Sequence, residues 1–325
     1  MLVINANEQR NLIDMNEVIE QAAVALSEFS ASRTITPIRS ALPFGNSQNT
    51  ALVMPSVAEE LRSVGVKLVN VVPGNKKLGK KTINGVVILF DFETGEPLAL
   101  LEGSYLTMIR TGALTGVATK YLSRPDSKIV SIIGTGEQAT GLLEAILAVR
   151  DIKKVSLYNR TPRKAKEFAK YIDQKFSVDV QVGTDSNQVV HEADIIVTAT
   201  NSLSPVFTDL IKPGVHINAV GSFRPDMQEL PSHVFSTAEK VVVESRHAAL
   251  EETGDLQIPI QEGLFHKSNI YAELGEIVSG ERKGRESVEE KTVFKSVGLA
   301  VVDLVVAQYL YEKALKHNAG TNIQL

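Results

Sequence analysis

Near the start of the chain, apolar residues recur at helical spacing. Met15, Val18, Ile19, Ala22, Ala23, Leu26 and Phe29 fall on one face, behind Asp14 or Asn16 as candidate cap. The pattern then turns strand-like. ALVMPSV, VGVKLVNVV and GVVILFDF–ETGE–PLALLEG follow one another with no helical stretch between them, and Gly95 marks a hairpin turn. Such a succession predicts an antiparallel or mixed sheet. TMIRTGALTGVATKYL is next, a helix rich in small residues. Ser123-Arg124-Pro125-Asp126 breaks it and marks a domain boundary.

Beyond the break the rhythm becomes strand–helix alternation. KIVSIIG, EQATGLLEAILAVR, KVSLYNR and PRKAKEFAKYIDQKF alternate, and VDVQVG, ADIIVTAT, VHINAVG and KVVVES are further short apolar strands. This predicts an α/β fold of the Rossmann type, a doubly wound parallel sheet with helices on both faces, beside a second, α+β domain. TVFKSVGLAVVDLVVAQYLYEKALKH reads as one long helix with an apolar face. GERKGRES, residues 280–287, reads as a loose, solvated charged run.

Composition narrows the function classes. A chain of 325 residues is about right for two domains. With 43% hydrophobic and 22% charged residues it has the balance of a soluble globular protein. A net charge of −4 gives no reason to expect nucleic acid or an anionic membrane as partner. No apolar run is long enough to span a bilayer, and MLVINANEQ lacks a basic segment followed by an apolar one. The absence of cysteine excludes disulfides and thiolate nucleophiles and fits a cytoplasmic chain. The six histidines show no paired ligand spacing, so no metal is expected.

Candidate chemistry begins at Gly134-Thr135-Gly136-Glu137-Gln138-Ala139, which matches G-x-G-x-x-A between a strand and a helix. The first glycine permits a tight turn, the second lets backbone approach a pyrophosphate, and the small third residue lets the helix pack on the strand. The helix start offers N–H groups and a positive dipole end to the phosphates. At the end of the next strand stand Asn159 and Arg160, where an NAD enzyme would carry a carboxylate for the ribose 2′-OH. An amide removes the negative charge, and a guanidinium can fork onto a 2′-phosphate. Thr161 can cap the following helix, with Pro162 at its first position. The expected cofactor is therefore NADPH in preference to NADH; the plainer alternative is a solvated Arg160 before an ordinary helix start.

On the other side of the break, Lys67 is the only charge in a strand apolar on both faces. Either it is buried against an anion, because an unpaired buried ammonium is costly, or it reaches solvent from an edge strand. Arg110 is a lone cation among small and apolar residues, and Arg39 lies in TPIRS. Three cations offered to one cleft would suit a carboxylate substrate.

Taken in order, ALVMPS, VGVKLVN, FDFETGEPLALLEG, IRTGALTGVATKYL, GTGEQA, YNRTP, ADIIVTATNSLSPVF, GSFRPDMQEL and TVFKSVGLAVVDL resemble the ornithine cyclodeaminase/mu-crystallin family over nearly the whole chain. The resemblance implies a substrate and dimerisation domain of residues 1–122 and 297–325, a Rossmann domain of residues 123–296, and a homodimer. It implies that Arg39, Lys67 and Arg110 hold a substrate carboxylate, with Lys67 and Arg110 as the catalytic pair and Thr82 near substrate and nicotinamide. Thr111, the 135–139 turn, Asn159, Arg160, Thr161, Thr198, Val220 and Ser296 fall at cofactor positions. Cyclodeaminases of the family carry an aspartate in a motif resembling G-D-x-P-G-K-x-E-L. Counting back from Glu229-Leu230, Phe223 stands in its place, and Asp226 lies three residues too late. That departure resembles the mu-crystallin and ketimine reductase branch. The expected activity is NADPH-dependent reduction of Δ1-pyrroline-2-carboxylate and Δ1-piperideine-2-carboxylate to L-proline and L-pipecolate. Alanine dehydrogenase, ornithine cyclodeaminase and a non-catalytic NADPH-dependent ligand binder are the alternatives.

Overall fold

The periodic segment near the start folds as the helix Met15–Ser30 (α2), behind the shorter helix Ala6–Leu12 (α1). Asp14 is the cap: its side chain accepts a hydrogen bond from the Asn16 N–H at 2.9 Å, satisfying a donor that a helix start leaves free. The computed structural model describes residues 1–45 and 49–324. Contacts divide the chain into two compact units, Met1–Arg110 with Leu299–Leu325, and Thr111–Gly298.

The first unit is built on a mixed sheet. Its strands are β1 (Leu2–Ile4), β2 (Thr34–Ile35), β3 (Ser40–Phe44), β4 (Asn49–Ala58), β5 (Ser63–Val71), β6 (Ile83–Phe90) and β7 (Pro97–Glu102), joined by the strand Thr321–Asn322. β4 to β7 are antiparallel neighbours, and β1 runs parallel to β7. Gly95, at φ +72°, closes the β6–β7 hairpin in a conformation that favours glycine. Alternation gives the sheet two faces. Met54, Lys67, Val69, Val87, Leu89 and Leu101 are buried, and the helix Ala300–Lys316 packs across β4, β5, β6 and α2. The alternate residues Val64, Val66, Leu68, Val86, Ile88 and Phe90 are also apolar, yet half-buried or exposed.

The helix α3 (Gly103–Leu122) contains the division at Arg110/Thr111. In the second unit, β8 (Ile129–Ile133), β9 (Lys154–Tyr158), β10 (Asp179–Val182), β11 (Ile195–Thr198), β12 (His216–Ala219), β13 (Lys240–Val243), β14 (Ile270–Glu273) and β15 (Thr292–Lys295) form one parallel sheet. Their order is β10-β9-β8-β11-β12-β15-β13-β14. The helices α4 (Ala139–Val149) and α5 (Pro162–Lys175) follow β8 and β9. Val130, Ile132, Leu142, Ile146, Phe168 and Ile172 form the core of one layer. Ile196, Ile217, Val241, Val234 and Phe235 form that of the other.

Two sequence expectations are corrected here. The segment read as one long helix divides. Thr292–Lys295 is the buried strand β15 between β12 and β13, and the helix begins only at Ala300, after Gly298 at φ +94°. A strand buried on both faces is a plain apolar run, and periodicity cannot separate it from an adjoining helix. Residues 280–287 are not loose either. Arg285 donates to the carbonyl oxygens of Leu122 and Glu290, each at 2.6 Å, and Lys240 reaches Glu286 at 2.8 Å. Gly284 lies so close to the Tyr121 carbonyl that a side chain there would collide with it.

Candidate functional site

In the first unit the site is built around a central strand. β5 pairs with β4 on one side and β6 on the other, so Lys67 cannot reach solvent from an edge. Lys67, Arg110 and Asp303 are 3%, 7% and 1% exposed, which removes all three from bulk water. Lys67 Nζ donates to Asp303 Oδ1 at 2.6 Å, and Arg110 Nε donates to the same oxygen at 3.0 Å. Asp303 Oδ2 is buried with no hydrogen-bond partner among the described residues. Burial pulls the Lys67 ammonium down to about 8; Asp303 opposes that shift, while Arg110 and Arg39 add to it. Arg39, between β2 and β3, is half-buried. Thr82, just before β6, is half-buried, and its carbonyl accepts from the Val72 N–H at 2.7 Å. Sequence reasoning missed Asp303. Its only signal was a lone acid in the apolar first turn of AVVDLVV.

The second unit brings the fingerprint to the place where ligands enter open α/β sheets. Strand order reverses around β8, which has β9 and β11 as neighbours, and the turn follows directly from its end. Gly134, at φ +99°, packs against Ala199 where a side chain would collide, and its N–H donates to Tyr158 O at 2.9 Å. Above Gly136 a Cβ would meet nothing within 4 Å, which leaves room for a phosphate. No side chain caps α4. The side-chain oxygens of Thr135 and Gln138 are buried without partners, Ala139 is buried against the core, and Glu137 is exposed. A helix start without a side-chain cap, the unpaired Thr135 hydroxyl, which can donate, and a bare glycine together fit a dinucleotide pyrophosphate.

At the end of β9, Asn159 Nδ2 donates to Thr161 O at 3.1 Å. Arg160 is exposed and makes no ion pair among the described residues. Thr161 stands at the cap position of α5, but its side chain makes no capping bond; Pro162 has no N–H, and the Lys164 N–H donates to Thr161 O at 3.0 Å. Thr198, Val220 and Ser296 come together at the ends of the adjacent strands β11, β12 and β15. The Val220 N–H donates to Thr198 O at 2.9 Å, the Ser296 N–H donates to Ala219 O at 3.0 Å, and the Thr198 hydroxyl is buried and unpaired. Thr111 is buried in α3.

Behind these strand ends lies a cluster that sequence reasoning did not find. Glu229 accepts from the Thr200 N–H at 2.6 Å, the Thr200 hydroxyl at 2.9 Å, the Gly221 N–H at 2.7 Å and the Ser222 N–H at 3.0 Å. Asp255 accepts from the Glu229 and Leu230 N–H groups, and Lys295 Nζ stands 2.9 Å from its other oxygen, both side chains fully buried. That last contact meets the distance of an ion pair but not the geometry of a hydrogen bond. Burial pushes the Glu229 carboxyl up, and Lys295 opposes it. Asp226 is exposed and tied to Arg224 at 2.9 and 3.0 Å, and Phe223 is half-buried.

A parallel sheet with a dinucleotide turn at its reversal point, and a separate mixed sheet holding buried cations, define a nicotinamide-dependent enzyme class. The chain belongs to the ornithine cyclodeaminase/mu-crystallin family, whose model matches residues 1–318, and is an NAD(P)H-dependent oxidoreductase. Within that class it is 68% identical over 324 residues to the Delta(1)-pyrroline-2-carboxylate reductase of Bacillus cereus, with 100% of both chains covered. The structure of Thermococcus litoralis Delta(1)-pyrroline-2-carboxylate reductase in complex with NADH and L-proline superposes with a TM-score of 0.96 at 40% identity, covering 99% of this chain and 100% of that one. An archaeal alanine dehydrogenase dimer with bound NAD superposes with a TM-score of 0.93 at 33% identity, covering 100% and 99%. Among the described residues no helix is long and apolar enough to cross a membrane.

Proposed function

We propose that this protein reduces Δ1-pyrroline-2-carboxylate to L-proline, and the six-membered Δ1-piperideine-2-carboxylate to L-pipecolate, with NADPH. The observation that carries the reading is the buried pair Lys67 and Arg110 sharing one aspartate, which leaves an excess positive charge for a substrate carboxylate. Relatives of this activity at 68% and 40% identity support it. Arg110 commits Nε to Asp303 and keeps both terminal amino groups for the carboxylate, and Lys67 adds a second charge. When bound, the nicotinamide supplies hydride to the imine carbon. The C=N π pair passes to nitrogen, and the one proton by which the amine exceeds the imine comes from water, which protonates the imine before the hydride arrives. A carboxylate fixed at two points leaves the imine little freedom to turn away, and that orientation is the chain's main contribution. The exposed, Arg224-bound Asp226 offers no substitute for the cyclodeaminase acid at Phe223. Asn159 and Arg160 support NADPH over NADH, although a solved relative holds NADH.

The test is a panel of the two cyclic imines, pyruvate with ammonia, and L-ornithine, each followed by nicotinamide absorbance with NADPH and NADH. Fastest NADPH oxidation with Δ1-pyrroline-2-carboxylate is expected. Faster turnover of pyruvate and ammonia would make the protein an alanine dehydrogenase, and binding of NADPH with no turnover of any substrate would make it a ligand binder. The apolar sheet face of Val64, Val66, Leu68, Val86 and Ile88 supports a homodimer formed through the first unit. Sedimentation showing only monomer at micromolar concentration would refute it.

A further inference from the structure

We propose that Asp303 is a positioning residue of the carboxylate site: it aims the Arg110 guanidinium and holds the Lys67 ammonium in its charged form. The inference rests on the reading of this site as a carboxylate clamp. Two donors from separate elements, β5 and α3, converge on the single oxygen Oδ1, at 2.6 and 3.0 Å. Arg110 is engaged through Nε alone, and its terminal amino groups make no hydrogen bond among the described residues. The guanidinium plane is thus fixed while its forked end remains available. Lys67 Nζ carries three protons and directs one of them to Asp303.

The electrostatics give Asp303 its second task. The charged groups facing Lys67 are Asp303 from the Ala300–Lys316 helix, Arg110 from α3 and Arg39 from the segment before β3. The flanking strands oppose it with Met54 and Val87, which carry no charge. Without Asp303 the buried lysine would face Arg110 and Arg39 without the anion that opposes its discharge, and would lose its proton more readily. A neutral amine attracts a carboxylate far less than an ammonium does. A purely structural strut between helix and sheet would affect stability and leave the titration of Lys67 out of catalysis.

The pH profile of kcat/KM separates the two roles, because it reports the free enzyme. In the wild type, imine reduction should fall as pH rises through about 8, where Lys67 loses its proton. In Asp303→Asn the fall should begin at least about one pH unit lower, so that the loss beyond that seen at acidic pH is about twofold at neutrality and approaches tenfold above pH 8, and it should lie mostly in KM. A loss equal at every pH, with the alkaline limb unmoved, would overturn the proposal. Should that variant not fold, Lys67→Arg decides: it keeps a cation on Asp303 that does not titrate in this range, so the limb should disappear. A limb retained in Lys67→Arg would refute the assignment. If the wild type reduces no cyclic imine, the reaction reading fails by itself. Calorimetric binding of pyrrole-2-carboxylate then reads the same limb, and affinity independent of pH in both wild type and Asp303→Asn would sink the Asp303 role separately.

Discussion

Each unit buries a small ionic cluster, and the two are opposite in proportion. In the first, Lys67 and Arg110 share Asp303. In the second, Lys295 stands beside Asp255, and Glu229 is hydrogen-bonded to Asp255 through its own backbone N–H. The surplus charges have different fates. Both acids of the second unit accept backbone N–H groups, four donors meeting on Glu229 alone, so its surplus is absorbed in holding the 200 and 221–222 loops. The surplus donors of the first unit find no acceptor within it among the described residues. A buried excess of charge that the protein satisfies itself is scaffold; one that it leaves unsatisfied marks a place for a ligand.

That contrast can be broken by removing one lysine from each cluster. Lys295→Met leaves two buried acids without a cation and should lower unfolding stability by about 3–5 kcal/mol in denaturant titration. Lys67→Met leaves Asp303 with Arg110 and should be neutral or stabilising by up to about 3 kcal/mol at neutral pH. The sign follows from a pKa lowered from 10.5 to about 8: below 8 the fold bears the full cost of the buried ammonium, and that cost vanishes as pH rises from 8 towards 10.5. The stabilisation of Lys67→Met should therefore fade over that interval, while its imine reductase activity is lost throughout. Equal destabilisation by both substitutions would erase the distinction. A smaller effect sharpens it at the exposed end of the second unit, where Arg160 makes no ion pair among the described residues. Arg160→Ala should weaken NADPH binding by roughly 1–3 kcal/mol and leave NADH binding nearly unchanged, as read by fluorescence titration. Equal losses for both cofactors would remove Arg160 from phosphate recognition.

What was legible in the sequence was local. The β4–β7 succession, the Gly95 hairpin, the Asp14-capped helix and the glycine turn each declare themselves within a short window. The ionic clusters do not. Asp303 lies 236 residues from Lys67 and 193 from Arg110, so nothing near the cations announces their partner. Reading TVFK as the start of a helix also hid Lys295, because the pairing of that lysine with Asp255 depends on β15 being a strand. In YNRTP the cap residue was legible, but the absence of its capping bond was not: whether a threonine turns inward depends on the packed loop, not on its neighbours in sequence.

The first unit is assembled from two stretches separated by the whole of the second, and this sets an order of events on the ribosome. Residues 111–298 can emerge and fold while the mixed sheet still lacks the helix that covers Met54, Val87 and Leu89. At ordinary elongation rates the 193 residues between Arg110 and Asp303 take roughly 10–40 s to synthesise. For that interval both cations await their counter-ion, and the apolar side of the sheet is open to whatever a nascent chain encounters.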